Sequence, residues 1–320
     1  MYKNSLNFKT DMADERVDEY KRVNNLTEID GVKVTIINDN DLNITTVDVL
    51  NEKGAKALSK EIGKYITMEI KDIKYLEDNE KEKIVRELSN QIKVLIGSDK
   101  SKSIFFVGLG NEYVTPDSLG PKVIQNIDIT RHLIHFAKEL VEPNTREISG
   151  MCPGVLGTTG IETSEIIFSV SNTIKPDIVI VIDSLASSSI HRLGTTIQLS
   201  NTGITPGAGV RNKREGINEK NLNVPVIAIG VPTVVDMATI TNEAIDKMLD
   251  TTKKQIETEN NTYKKDVTNK LFNIFDDENR YDTIAKVLDT ENYIVTPKEI
   301  DDVIKIVSEL ISDGINMSIN

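Results

Sequence analysis

The sequence DIVIVIDSLA, residues 177–186, contains the most hydrophobic run of the chain, and a carboxylate, Asp183, follows directly on that run. Two similar short runs, IFFV at 104–107 and VIAI at 226–229, lie on either side of it along the chain. Continuous apolar runs of this length are typical of strands that are covered on both faces of a parallel sheet. They therefore predict an α/β fold built on a buried sheet.

Helical patterns lie between and after these runs. Apolar residues recur every three or four positions within 84–95 and within 166–174, where Lys175-Pro176 ends the period. A helix is also predicted from Asp236 to about Glu257, and a last apolar stripe lies within 300–311. This alternation favours a parallel or mixed sheet with flanking helices.

The ends of the chain carry local signals of their own. VKVTII and ITTVDVL flank the turn formers NDNDLN, which predicts an N-terminal β-hairpin within a β-rich elaboration at 31–75. The first thirty or so residues are polar and are expected to form an extension or a short frayed helix. Near the other end, Thr296-Pro297-Lys298-Glu299 predicts an N-cap, a proline at the first helical position and a capping-box glutamate.

Composition excludes several classes of protein. The 320 residues are 38% hydrophobic and 28% charged, which is a globular mixture, and the net charge of -12 opposes nucleic-acid binding. No apolar run approaches the roughly 18 residues of a membrane span, and the N-terminus lacks the apolar segment of a signal peptide. The single cysteine, Cys152, cannot form an intramolecular disulfide. We expect a soluble, cytoplasmic protein with no membrane partner.

The first candidate for chemistry is FFVGLGNEYVTPDSLGP, residues 105–121, in which a buried strand breaks at Gly108 and Gly110 and leads to Asp117. Ligands of open α/β sheets bind beyond the carboxyl ends of the strands, where Asp117 is expected. A dinucleotide fingerprint would need a third glycine where Tyr113 stands, so a nicotinamide cofactor is disfavoured. The alternative role for Asp117 is a helix N-cap.

The second candidate is Asp183, because a carboxylate at the end of so apolar a strand needs a partner or a function. In a parallel sheet its strand and the strand before Asp117 end at the same edge, so the two aspartates could form a pair. Two close carboxylates share a proton, which makes one an acid and the other a base. Such a pair can activate water against a peptide carbonyl. The alternative is a hydrogen-bond acceptor at a strand end.

Two glycine-rich loops accompany the aspartates. MCPGVLGTTGIET, residues 151–163, contains Gly154, Gly157 and Gly160, and its N–H groups could hold a peptide carbonyl, unless the loop is only a connection. NTGITPGAGVRNKR, residues 201–214, ends in a basic run that could recognise acidic side chains or form a solvated face; this run contains Arg211, Lys213 and Arg214.

The histidines and the cysteine give weaker signals. His132 and His135 are interpreted as structural rather than as ligands, and His191 completes the set of three. Cys152 lacks any motif of a cysteine nucleophile and is interpreted as a small loop residue. No metal and no cofactor are predicted.

Several ordered motifs give the chain a resemblance to the germination proteases of spore-forming bacteria; these are GLGN-x4-PD-x-LGP, TRHL, PGVLGTTGIET, VIDSLA, TIQLSNTGITPGAGV-x-NKR, VPVIAIGVPTVVD and TPKEID. The resemblance extends from Thr10 to the C-terminal helix. It implies an atypical aspartic endopeptidase with a fold related to the hydrogenase maturation proteases, whose two essential aspartates correspond to Asp117 and Asp183. It also implies small acid-soluble spore proteins as substrates during germination, a homotetramer and a place in the cytoplasm of the spore core.

The resemblance further implies a zymogen whose short propeptide is removed by self-cleavage. Lys9-Thr10-Asp11-Met12-Ala13 matches the cleavage pattern, with the cut between Asp11 and Met12. Residues 1–11 would then be the propeptide and 12–320 a single peptidase domain, with 258–292 as a surface insertion or lid. The chain departs from the family pattern at Ser188 and Arg211, where arginine and glycine are expected, and at Glu112-Tyr113, which affects the expected substrate preference.

Two other functions stay open on the sequence alone. A metal-assisted maturation-type protease on the same fold would place a divalent ion between Asp117, Asp183 and either His132 or His135. A catalytically silent protein would only bind an acidic or DNA-coating partner.

Overall fold

The computed structural model describes residues 10–39, 41–206, 215–257, 280–287 and 293–319. Within these residues the strands are β1 (Val32–Asn38), β2 (Leu42–Val49), β3 (Gly63–Ile70), β4 (Ile104–Gly108), β5 (Ile148–Met151), β6 (Ile178–Ser187), β7 (Thr196–Ser200), β8 (Val226–Asp236) and β9 (Ile294–Val295). The helices are α1 (Ala13–Asn24), α2 (Glu52–Leu58), α3 (Asp78–Ile96), α4 (Leu119–Ile124), α5 (Arg131–Phe136), α6 (Leu156–Thr159), α7 (Thr163–Ile174), α8 (Glu219–Leu222), α9 (Met237–Glu257), α10 (Arg280–Val287) and α11 (Ile300–Ile319).

One mixed sheet contains all of these strands, in the order β1-β2-β3-β7-β8-β6-β4-β5, with β9 beside β8. The part formed by β5, β4, β6 and β8 is parallel, with Phe106 opposite Ile180 and Val181 opposite Ala228. The strands β7, β3, β2 and β1 extend it with antiparallel pairs. The prediction of an α/β fold with a parallel or mixed sheet is confirmed, as is the N-terminal hairpin of β1 and β2.

The apolar runs are continuous because the central strands are buried on both faces. Along β4, Ile104 and Phe106 belong to one hydrophobic cluster and Phe105 and Val107 to the other. Helices α3, α4 and α11 cover the first face, and α7 and α8 cover the second. Fully burying an aliphatic or aromatic side chain stabilises the fold by roughly 1.5–3 kcal/mol, so these two faces hold the sheet in place.

The N-terminal segment is more ordered than its polar composition predicts. Met12 and Ala13 are fully buried, and Val17 of α1 packs with Tyr65 and Val49 in a third hydrophobic cluster above β2 and β3. Of the two expected forms, an extension or a short frayed helix, a helix is present as α1, and the expectation that it is frayed is wrong. The physical reason is tertiary packing. The segment has few apolar residues, but those few are buried against the sheet.

The C-terminal helix begins later than predicted. Helix α11 starts at Ile300, and the hydroxyl of Thr296 donates to the carbonyl of Thr233 at 2.9 Å instead of capping a helix. Glu299 forms an ion pair with Lys74 rather than a capping box. The predicted apolar stripe itself is confirmed, since all of its members are buried; they are Ile300, Val303, Ile304, Val307, Leu310 and Ile311.

The predicted insertion at 258–292 lies mostly outside the described residues. Its described part, α10, packs on α9: Tyr281 and Ala285 are buried with Ala238, and the Tyr281 hydroxyl donates to Asp236 Oδ1 at 3.0 Å. Across the described parts of the chain, every helix is too short or too polar to traverse a lipid bilayer.

The sheet order creates a crevice at the carboxyl ends of β4 and β6. The chain leaves β4 toward β5 on one side and leaves β6 toward β7 and β8 on the other. Such a point, where neighbouring connections diverge, is where ligands bind in open α/β sheets. The residues that follow β4 and those in the second half of β6 are therefore expected to line a ligand site.

Candidate functional site

Asp117 is held against the end of β4 by a tight backbone turn. Its carboxylate Oδ2 accepts from the N–H of Asn111 at 2.9 Å, and its own N–H donates to the carbonyl of Val114 at 2.7 Å. Gly110 makes this turn possible, because its φ is +111° and a Cβ there would lie 1.9 Å from the carbonyl oxygen of Asp117. Asp117 is not the N-cap of α4, whose cap position is Ser118.

Asp183 lies within β6, four residues before that strand ends at Ser187, so the expectation that it ends its strand is wrong. It is next to the end of β4 because β6 continues along β8 beyond the point where its pairing with β4 stops. It is only 8% exposed, and its Oδ1 accepts from the N–H of Ser184 at 2.9 Å. The N–H of Leu109 donates to the carbonyl of Ile182 at 2.8 Å, which keeps the chain beyond β4 against β6. The start of the loop that leads to Asp117 is therefore bound to β6 at the residue before Asp183.

A cavity of about 340 Å³ brings the two aspartates together. Asp117 and Asp183 both line it, as do Gly110 from the turn and Gly154 from the first glycine-rich loop. The pairing that the sequence suggested thus has a geometric basis: both aspartates line one cavity, beyond the carboxyl end of β4 and beside β6.

Asp11 lines the same cavity. It runs beside the end of β6, where its N–H donates to the carbonyl of Ala186 and its carboxylate Oδ2 accepts from the N–H of Ala186, both at 2.9 Å. The residue that precedes the predicted self-cleavage point is thus bound within three residues of Asp183. Its neighbours Thr10 and Met12 are buried.

Two side chains that the sequence analysis did not identify bind the peptide carbonyl of Asp11. Lys60 Nζ donates to this oxygen at 2.6 Å, and Gln198 Nε2 donates to it at 3.1 Å. Desolvation lowers the pKa of Lys60 to about 8, although the Asp11 carboxylate opposes that shift. Both side chains line a second cavity, of about 440 Å³, which Asp11 also borders. Asp11 therefore lies at the junction of two cavities.

Acidic side chains anchor the start of α1 beside this junction. Glu15 Oε1 accepts from the hydroxyl of Ser187 at 2.6 Å, and Glu15 Oε2 accepts from the N–H of Ser188 at 2.8 Å. Asp14 and Arg192 form a mostly buried ion pair. Ser188, where the resemblance predicts arginine, thus contributes its backbone to holding the N-terminal segment.

Only part of the two glycine-rich loops lines the aspartate cavity. Gly154 lines the aspartate cavity, whereas Gly157 and Gly160 are not among its lining residues. Gly154 and Gly160 both have left-handed backbone, with φ of +73° and +70°. The basic run of the second loop, Arg211, Lys213 and Arg214, lies outside the described residues.

His132 and His135, on α5, lie away from the aspartates. His135 contacts Glu147 at 3.3 Å, and α5 is tied through Thr130 to Ile148, at the amino end of β5. The amino end of β5 is at the opposite end of the parallel strands from Asp117 and Asp183, so the ligand set of the metal-assisted alternative is not assembled. Within the described ranges no three His, Cys, Asp or Glu side chains are grouped to hold a metal ion.

Cys152 does not have the environment of a nucleophile. Desolvation and the Glu112 carboxylate both raise the pKa of its thiol. Reactive cysteines need the opposite shift, toward the thiolate. The interpretation of Cys152 as a loop residue agrees with this.

Comparison with known proteins identifies the family. A sequence model described as germination protease matches residues 9–274. The germination protease of Clostridium tetani is 45% identical over 316 residues, covering 98% of this chain and 96% of the relative. That of Caldanaerobacter subterraneus is 43% identical over 316 residues, covering 98% and 94%, and that of Bacillus licheniformis is 39% identical over 345 residues, covering 98% and 93%.

Among solved structures, a NiFe hydrogenase maturation protease, HycI from Thermococcus kodakarensis, matches 45% of this chain and 80% of its own, with a TM-score of 0.30 and 17% identity. The sequence matches to germination proteases are more extensive than this structural match, because each covers nearly the whole of both chains. The chain therefore belongs to the germination protease family.

Proposed function

We propose that this peptidase is a self-processing endopeptidase in which Asp117 and Asp183 together activate the attacking water. The proposal is carried by one observation: both aspartates line a single cavity, and Asp11, the residue before the expected cut, lines it too. The segment around Asp11 and Met12 is then a tethered substrate, present at the site at a high effective concentration. A full-length chain that binds its own segment in this way is expected to be inactive or nearly so.

The chemistry of the proposed pair follows from its placement. Two carboxylates within a few Å of each other cannot easily both be ionised, so we expect the proposed pair to share one proton. The ionised partner takes a proton from water as it attacks the peptide carbonyl, and the protonated partner supplies one to the departing amine. This assignment needs neither a nucleophilic side chain nor a cofactor.

The resemblance supports small acid-soluble spore proteins as substrates, cut after an acidic residue during germination. The acidic side chain of Asp11 is bound by the N–H of Ala186 and experiences the positive charges of Arg16 and Lys60. These contacts support an acidic residue at this position in a separate substrate as well. The homotetramer and the location in the spore core stay predictions of the resemblance.

Recognition by the loops also stays a prediction. Gly154 is retained as a substrate-binding candidate because it lines the cavity, and the roles of Gly157 and Gly160 have no such support. Arg211, Lys213 and Arg214 are proposed to bind acidic substrate side chains. The domain limits at 11 and 12, and the lid at 258–292, likewise rest on the sequence.

The two alternatives are less well supported. A metal-assisted protease would need His132 or His135 beside the aspartates. Both histidines are on α5, which lies at the amino end of β5, the opposite end of the parallel strands from the aspartates. The reading as a silent binding protein conflicts with membership of a protease family. Product peptides from a purified substrate would dispose of it directly.

The test is substitution of each aspartate by asparagine, with cleavage of a peptide that has the sequence of residues 6–17 as the readout. Asp117→Asn and Asp183→Asn should each fold and lose nearly all proteolysis, because an amide can neither share the proton nor take one from water. The double variant should be little worse than either single one, since the two groups act as a unit. Strong activity in either single variant would refute the pair.

A further inference from the structure

The peptide carbonyl of Asp11 has two side-chain donors that converge on one oxygen. Lys60 Nζ lies 2.6 Å from it and Gln198 Nε2 lies 3.1 Å from it. Lys60 follows α2 and Gln198 lies in β7, so the two donors reach the oxygen from different elements. Neither contact is needed to form a helix or a strand.

The orientation of Gln198 is set by the same segment. Its Oε1 accepts from the N–H of Ala13 at 2.7 Å, which leaves Nε2 to donate to the carbonyl of Asp11. One side-chain amide therefore spans the bond between Asp11 and Met12, with a contact on each side. Such a bridge fixes the position of the peptide unit between its two ends.

This geometry matches a requirement of peptide hydrolysis. Attack on a peptide carbonyl places negative charge on its oxygen, and preorganised donors about 2.7–3.1 Å from that oxygen lower the barrier. We propose that Lys60 and Gln198 bind the carbonyl oxygen of the residue preceding the cleaved bond and stabilise the negative charge that develops there. This inference rests on the cleavage after Asp11 proposed above. Once residues 1–11 have left, the same donors face the carbonyl of a separate substrate.

The step balances without any further reactant. The water oxygen forms a bond to the Asp11 carbonyl carbon, the π electron pair moves to the oxygen held by Lys60 and Gln198, and one carboxylate of the aspartate pair takes the water proton. The C–N bond then breaks as that electron pair returns. The nitrogen of Met12 receives a proton from the protonated carboxyl, leaving a carboxylic acid and an amine.

The surroundings of Lys60 suit a charged donor near neutral pH. The charged groups that act on it belong to the N-terminal segment, and the ring of Tyr65 from β3 lies 5.5 Å from its Nζ. Three of these groups favour the charged ammonium and one opposes it; they are Asp11, Asp14 and Glu15 on the one hand and Arg16 on the other. The ammonium therefore persists despite its desolvation.

The test uses the full-length protein, freshly purified and sampled by intact mass for cleavage after Asp11. Lys60→Met should slow this cleavage about a hundredfold, the loss expected when one donor of this kind is removed. Gln198→Glu, which keeps the shape and the acceptor for Ala13 but replaces the donor, should slow it to a similar extent. Lys60→Arg should recover part of the rate, because a guanidinium also donates. Lys53→Met, which removes an exposed lysine of α2 paired with Asp30, should leave it unchanged.

Amide hydrogen exchange separates this role from simple anchoring of the segment. The amides of Asp11 and Ala13 donate to Ala186 and Gln198, so their exchange reports whether the segment stays bound. Slow cleavage with unchanged exchange in Lys60→Met supports the proposal. Unchanged cleavage, or exchange that rises in proportion to the loss of rate, overturns it. If Lys60→Met does not fold, Gln198→Glu gives the same decision.

The outcome is distinguishable from failure of the aspartate pair. Normal cleavage in Asp117→Asn with slow cleavage in Lys60→Met would refute the pair and keep the two donors. The reverse result would keep the pair and refute the donors. A wild-type chain that never cuts after Asp11, and does not cut the matching peptide, would overturn both.

Discussion

At the scale of the residue, Gly110 controls where Asp117 lies. Its φ of +111° is one that L side chains rarely adopt, and a Cβ would meet the Asp117 carbonyl oxygen at 1.9 Å. We expect Gly110→Ala to lower the free energy of unfolding by about 1–3 kcal/mol from backbone strain alone and to abolish most proteolysis by displacing Asp117. Urea unfolding and the peptide assay measure the two effects.

Gly97 provides the matched control. Its φ is +78°, also left-handed, but a Cβ there meets nothing within 4 Å, and it ends α3 far from the cavity. Gly97→Ala should cost about 1–3 kcal/mol of stability, because its ψ of 175° puts it in a region that only glycine adopts readily, and should leave the cleavage rate as it was. Equal losses of activity in the two variants would show that Gly110 has no special link to Asp117.

The pKa of Lys60 predicts a pH dependence of self-cleavage. Desolvation lowers this pKa to about 8, so the ammonium that donates to Asp11 is present below that pH and lost above it. The self-cleavage rate should therefore fall as the pH rises through about 8. In Lys60→Arg that decline should be absent, because arginine stays charged. A wild-type profile that is flat between pH 7 and 9 would contradict the prediction.

The same shift has a consequence for stability, with a definite sign. Between about pH 8 and 10.5 the unfolded chain still binds the Lys60 proton and the folded chain does not. Unfolding then takes up a proton, so this residue makes the folded state more stable as the pH rises through that window. Urea unfolding at pH 7 and pH 10 measures this change in the free energy of unfolding. The difference between the two pH values that Lys60 causes should be present in the wild-type protein and smaller in Lys60→Met.

Not every residue of the site could be found in the sequence. That Asp117 and Asp183 line one cavity was predictable, because Asp183 directly follows one apolar run, Asp117 lies in the loop after another, and the loops beyond parallel strands meet at one end of the sheet. Lys60 and Gln198 were not, because they are 49 and 187 residues from Asp11 and no local pattern marks them. Only the fold brings them to the same carbonyl.

At the scale of the element, α3 and α11 meet where Gly314 faces Leu88. A Cβ on Gly314 would lie 2.8 and 2.9 Å from the Cδ2 and Cγ atoms of Leu88, so the helices approach as closely as glycine allows. Leu88→Ala should cost about 2–5 kcal/mol and Gly314→Ala about 1–3 kcal/mol. The double variant should lose less than the sum, because the new methyl group occupies space that the leucine left. Urea unfolding of all four proteins measures this coupling, and strict additivity would contradict it.

Helices and strands were predictable to the extent that periodicity defines them. The stripe of α11 was correct because packing on α3 and the sheet requires it. Its start was wrong because the Thr296 hydroxyl binds the carbonyl of Thr233 instead of capping the helix. The side chain of a capping residue can bind either the helix N-terminus or a tertiary partner. The sequence alone does not show which of the two it binds.

At the scale of the whole molecule, conversion to a mature form is expected to depend on Asp11. Asp11→Lys removes the carboxylate that accepts from Ala186 and places a third cation beside Lys60 and Arg16. We predict that this variant and Asp117→Asn both remain full-length, while the wild-type chain yields a mature form beginning at Met12. N-terminal sequencing decides this. A mature start far from Met12, or normal conversion of Asp117→Asn kept apart from wild-type enzyme, would indicate another protease.

The binding of Asp11 by its own chain also predicts the kinetic order of the proposed conversion. The carbonyl is held by Lys60 and Gln198 of the same molecule, and Met12 beyond it is fully buried. Another molecule could reach this bond only after the segment had detached. Conversion should thus be first-order, with a half-time that does not change on hundredfold dilution, and added mature enzyme should not accelerate it. Each molecule would then convert independently of the others. The rate constant of maturation would be set by the fold and not by the concentration of the protein in the cell.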